Sequence, residues 1–93
     1  MTVGILNISL SMRNSFNLKD KRRILNGIKD SLRNRFNISI AVVDDNEKYN
    51  YARLGIACVS PNVHFTREVL SRVLNNIEDR WDVEVVNIER SIL

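Results

Sequence analysis

The sequence predicts an α+β domain with its elements in the order β-α-β-β-α-β. Three observations lead there. Residues 3–12 and 49–60 alternate apolar with polar positions, the period of half-buried strands. Two longer segments, 17–36 and 63–80, repeat their apolar residues at helical spacing. The turn-forming Asp44-Asp45-Asn46 joins two successive strands with no helix between them. A chain of 93 residues with 44% hydrophobic and 27% charged residues, three Gly and one Pro suits one globular domain over residues 1–93.

In the first strand Gly4, Leu6, Ile8, Leu10 and Met12 point one way and Asn7, Ser9 and Ser11 the other. Asn17 then offers an N-cap, and Leu18, Leu25, Ile28, Leu32 and Phe36, with Ile24 beside them, form the apolar stripe of the first helix. Ile38, Ile40 and Val42 alternate with Ser39, Ala41 and Val43 in a β-branched second strand. A hairpin leads to the third strand, Tyr49 to Ser60, with Ala52, Leu54, Ile56 and Cys58 toward the core and Tyr49, Tyr51 and Arg53 on the opposite face. Pro61 stops it. Val69, Leu70, Val73, Leu74 and Ile77 mark a second helix from Val63 to Arg80, and Val83, Val85, Val86 and Ile88 a last strand from Asp82 to Ile92. Trp81 between them is expected to plug the core or a sheet edge. Right-handed crossovers place both helices on one side, so the expected fold is ferredoxin-like: a four-stranded antiparallel sheet with two helices on one face. That fold serves sensors, metal chaperones, RNA-binding modules and enzymes, and does not select among them.

Charge is the most informative local feature. Asn17 to Arg23 places four cations and one acid where a helix begins. A helix N-terminus carries partial positive charge, so each such cation costs about 0.3 to 1 kcal/mol at low salt. From Leu18 to Phe36 seven cations face only Asp20 and Asp30, in a chain whose net charge is +3. Lys19 with Arg23, and Lys29 with Arg33, add like-charge pairs at i,i+4. Either an anionic partner compensates, or the acids Asp44, Asp45 and Glu47 of the hairpin pack over the helix start.

Catalytic chemistry is hard to assemble from these residues. One His and one Cys give neither a nucleophile-base pair nor a metal set: His64 fits a helix-start surface position and Cys58 a buried apolar one. Gly4, Gly27 and Gly55 are isolated, so no phosphate loop can be built. The N-terminal segment, interrupted by Asn7 and Ser9 and without a basic region ahead of it, reads as neither signal peptide nor membrane span. The expectation is a cytoplasmic binding protein, not an enzyme, with no cofactor and no membrane contact. Tyr49 and Tyr51 could stack on unpaired bases beside Arg53, although the strands lack the aromatic pattern of RNA-recognition modules. Val3, Ile5, Ala41 and Val59 on the same face also suit a homodimer contact.

Several segments together resemble the YlxP-like family of small bacterial proteins of unknown function. Asn17-Leu18-Lys19-Asp20-Lys21-Arg22 is similar to the family's Ser-Leu-Lys-Glu-Lys-Arg, Arg35-Phe36-Asn37-Ile38-Ser39-Ile40-Ala41 to its Arg-Phe-Asn-Val-Ser-Val-Ala, and Ala52-Arg53-Leu54-Gly55-Ile56-Ala57 to its Ala-x-Leu-Gly-x-Ala. The chain departs at Val42, where the family has Glu, and at Tyr49, where it has Trp. The resemblance implies a ferredoxin-like fold and, from the family's gene neighbourhood among translation and ribosome-maturation factors, a connection with RNA or the ribosome. It carries over Lys19, Lys21, Arg22 and Arg23 as a candidate anion site.

The leading expectation is therefore RNA, ribosomal RNA in particular, held by Lys19, Lys21, Arg22, Arg23, Lys29 and Arg33, with Tyr49, Tyr51 and Arg53 as further contacts. A homodimeric interaction module using the open sheet face is the alternative. A sensor or enzyme with a site between protomers is the weakest reading.

Overall fold

The computed structural model describes residues 1–44 and 46–93, and its six elements follow the predicted order. They are β1 (Thr2–Ser11), α1 (Leu18–Arg35), β2 (Ser39–Asp44), β3 (Tyr51–Ser60), α2 (Val63–Arg80) and β4 (Glu84–Ile92). The strands form one sheet in the order β2-β3-β1-β4, with antiparallel pairing throughout. This is the ferredoxin-like arrangement. Both crossovers return to the same face, since Leu25, Ile28 and Leu32 of α1 and Leu70, Val73 and Ile77 of α2 share one core with Leu6, Ile8, Leu10, Leu54 and Ile56 of the sheet. Each such fully buried aliphatic side chain contributes about 1.5 to 3 kcal/mol relative to an exposed one.

The two helices are built alike. Asn17 and Asn62 cap them, and each side-chain oxygen accepts from the N–H three residues on, Asp20 and Phe65, at 2.8 Å. Four residues after each cap stands a buried polar side chain, Lys21 in α1 and Thr66 in α2. Each helix ends at an aromatic residue in extended conformation, Phe36 and Trp81, whose N–H returns to the carbonyl of Leu32 and Ile77 respectively. Trp81 packs against the core, as expected, and lies on Gly27 of α1, where a Cβ would come within 2.9 Å of its Cη2. Gly4 performs the same service for α2: a Cβ there would collide with Thr66 Cγ2.

Two boundaries and one burial differ from expectation. β3 begins at Tyr51, paired with Ser11, so Tyr49 lies in the connection from β2 and not on the strand; its carbonyl accepts instead from Ser15 Oγ. Leu18, expected in the core, is 45% exposed and lines an open cleft between α1 and the end of β2. β4 begins at Glu84 and is an edge strand. A register shift opposite Ser9 and Leu10 leaves Val86 out of pairing, and Val86 and Ile88 are both exposed while Val83 and Val85 pack on the core.

Candidate nucleic-acid interface

The start of α1 resolves part of its own charge conflict. Asp20 sits in the first turn, where the helix dipole favours an acid. Its Oδ2 accepts from the Phe16 N–H at 3.1 Å and its Oδ1 pairs with Arg23 at 3.3 Å, while its own N–H donates to Asn17. This is a variant of the capping box: the acid three residues after the cap reaches back to the N–H of Phe16, one residue before the cap, and not to that of Asn17 itself.

Lys21 does not belong to the surface set. It is 7% exposed, and its Nζ donates to the Lys48 carbonyl at 2.7 Å, to Asn46 Oδ1 at 3.1 Å and to the Asn46 carbonyl at 3.2 Å. Three oxygens satisfy all three ammonium protons, so the side chain fastens the β2–β3 connection to α1 and has no donor left for a phosphate. The expectation of Lys21 as an anion contact is corrected on this ground.

The remaining cations lie along one stripe. Lys19, Arg22, Arg23, Lys29 and Arg33 recur three to four residues apart, directly or through Asn26; Lys19, Arg22, Arg23 and Arg33 are exposed, and Lys29, nearer the buried Leu25, Ile28 and Leu32, is half-buried. From Lys19 to Arg33 the stripe runs about 21 Å at the helical rise. Its members are not equally free. Arg33 donates to the Ile40 carbonyl at 2.9 Å and stands 3.8 Å from Asp30, and Arg23 pairs with Asp20. Among the described residues Lys19, Arg22 and Lys29 have no acid within 4.0 Å.

Of the hairpin acids, Asp44 and Glu47 stand near the helix without pairing with its cations. Asp44 and Glu47 line an open cleft of about 360 Å³ together with Leu18, Arg22 and Val42, yet neither forms an ion pair with an α1 cation. Asp45, counted with them above, lies outside the described residues. Val42, at the place of the family's Glu, presents an apolar side chain to the same cleft, so Arg22 has no acid at that position.

On the open sheet face the two-tyrosine platform does not form. Tyr51 is half-buried and its hydroxyl donates to Ser9 Oγ at 3.1 Å, while the ammonium of Lys48 lies 5.6 Å from the centre of its ring. Arg53 lies across the sheet, donating to Asn7 Oδ1 at 3.2 Å and pairing with Glu89 at 3.6 Å. Tyr49 is exposed, but on the connection beside the start of α1. Next to Ser15, whose hydroxyl binds the Tyr49 carbonyl, stands a residue the sequence reading passed over, Phe16, which is 72% exposed. The signal was available: an apolar residue before an N-cap ordinarily packs on the fourth helical residue, and here that residue is Lys21.

The chain is similar to the uncharacterized protein YlxP of Bacillus subtilis (strain 168), with 29% identity over 82 residues that cover 88% of this chain and 89% of the Bacillus protein. The sequence model described as "Protein of unknown function (DUF503)" matches residues 3–90, nearly the whole domain including the basic helix start, and the chain therefore belongs to that family.

Proposed function

We propose that the protein is a binding protein, not an enzyme, and that it holds RNA through the outward stripe of α1, with Lys19, Arg22, Arg23 and Lys29 as phosphate contacts. The observation that carries this reading is that Lys19, Arg22 and Lys29 lack acidic partners among the described residues, although two hairpin acids stand close enough to line the neighbouring cleft. Structural cations would be expected to pair with those acids; cations that serve a polyanion would stay open. Ribosomal RNA is the class that the family resemblance indicates. Filter binding of a labelled ribosomal RNA fragment over a salt series tests the reading. Four phosphate contacts on single-stranded RNA give a slope of log K against log[salt] of about −2.8, and Lys19→Ala reduces it by about 0.7. No retention, or retention indifferent to salt, removes the proposal.

A second reading is favoured by the apolar corner of the open sheet face, where Val3 pairs with Val59, Ile5 with Ala57, and Val43 covers Gly55. Val59 and Val43 are more than half exposed, an arrangement that suits a homodimer with sheet against sheet. Light scattering at high micromolar concentration decides it: a strict monomer eliminates this reading and leaves the first untouched.

A further inference from the structure

Phe16 and Tyr49 are exposed aromatic residues far apart in sequence, carried by two segments that the fold fastens together. Ser15, next to Phe16, donates its hydroxyl to the Tyr49 carbonyl, and the Met12 N–H donates to the Asn50 carbonyl at 2.9 Å. The segment before α1 and the end of the β2–β3 connection are thereby one surface. Lys21, bonded to the Lys48 carbonyl, ties the same connection to α1 from below. Nothing apolar claims Phe16 at its staple position, because Lys21 occupies it and directs its ammonium to the connection. Lys19, Arg22 and Arg23 follow Phe16 within the first two turns of α1, and Lys48, whose ammonium lies 5.6 Å from the centre of the Tyr51 ring, precedes Tyr49 in the chain. Phe65, the other exposed phenylalanine, makes a useful contrast. It lies in the first turn of α2 beside Val63 and His64, with no Lys or Arg before Arg67, at the opposite end of the sheet.

The geometry points to a site for unpaired RNA nucleotides at this end of the molecule, with Phe16 and Tyr49 as stacking surfaces for bases and Lys19, Arg22, Arg23 and Lys48 taking the adjoining phosphates. Every base presents a π-face to an aromatic side chain only when it is out of a duplex, so paired RNA can use the cationic stripe but not the two rings. The inference rests on the RNA reading above and deepens it from a polyanion to a single-stranded one.

The full chain should be titrated with two dye-labelled probes, a 12-nucleotide oligouridylate and an RNA duplex of the same length. The wild type should prefer the single strand. Phe16→Ala should weaken the single-strand complex about 5- to 150-fold, the range for loss of one base stack, and leave duplex affinity and the salt slope unchanged. Tyr49→Ala should act in the same direction, and Phe16→Trp should keep or improve single-strand binding, which excludes a folding defect as the cause. If both probes bind equally and Phe16→Ala changes neither, the stacking site is overturned and the cationic stripe stands. If neither probe binds, the RNA reading and this inference fall together. If Phe16→Ala spares RNA binding but abolishes self-association in sedimentation, Phe16 is a protein contact and the stacking site is again overturned.

Discussion

α1 and α2 are the same length, 18 residues, and meet the same structural demands in different chemical language. Each is capped by Asn, anchored four residues later by a buried polar side chain, and closed by an aromatic residue. Their charges diverge. α1 carries seven cations against two acids, whereas α2 carries three of each and opens on the uncharged or weakly basic Val63-His64-Phe65. Since α2 satisfies the architecture without cations at its start, the architecture does not require them in α1. The repeated features are what the fold needs, and the unrepeated charge is what the RNA proposal draws on. Lys21 marks the border between the two: it belongs to the basic motif by sequence and to the anchors by structure.

That comparison can be broken at the anchors. Lys21→Met keeps most of the stem but strips three charge-assisted bonds from the carbonyls of Asn46 and Lys48 and from Asn46 Oδ1, and should lower stability by about 3 kcal/mol in urea unfolding followed by circular dichroism. If the RNA proposal holds, this variant, once folded, should bind RNA with an unchanged salt slope. An unchanged urea midpoint would mean that the β2–β3 connection holds its shape without Lys21. Thr66→Val probes the equivalent place in α2. Thr66 is fully buried and its Oγ1 donates to the Asn62 carbonyl at 2.9 Å and shares a hydrogen bond with Ser60 Oγ, which can still donate to Asn62 at 2.8 Å in the variant. Its loss should cost about 1 kcal/mol, and a cost above that of Lys21→Met would reverse the ranking of the two anchors. The smallest effect sharpens the contrast in charge. Lys19→Glu puts an acid at the positive end of the helix dipole and should raise stability by about 0.3 to 1 kcal/mol at low salt while weakening RNA binding. A destabilised variant would show that Lys19 has a structural role after all.

Most of the fold was legible because its signals are local and periodic. The alternation from Gly4 to Met12, Asn17 ahead of the first helical stripe, the helical spacing of Val69 to Ile77, and Pro61 after Ser60 place β1, both helix starts and the end of β3 close to where they occur. The candidate site was less legible, for reasons of distance. Lys21 reads as one of a run of cations until the carbonyls that bind it, 25 and 27 residues later, arrive beside it. Tyr49 and Tyr51 share a face only if the strand includes both, and that is decided by where pairing with β1 stops, at Ser11. Arg53 looks available until its cross-strand neighbours Asn7 and Glu89 are known. Phe16 was overlooked because an isolated aromatic outside both periodic stripes has no pattern to belong to.

The contact between Trp81 and Gly27 gives the molecule an optical reporter. Trp81 is the one tryptophan in the chain, and its indole, anchored in the second half, rests on the helix of the first. Its fluorescence therefore follows the docking of the two βαβ halves on each other and not the local state of α2 alone. Undocking α1 should shift the emission to the red even where helical content is retained, so native and partly opened forms can be told apart without any label.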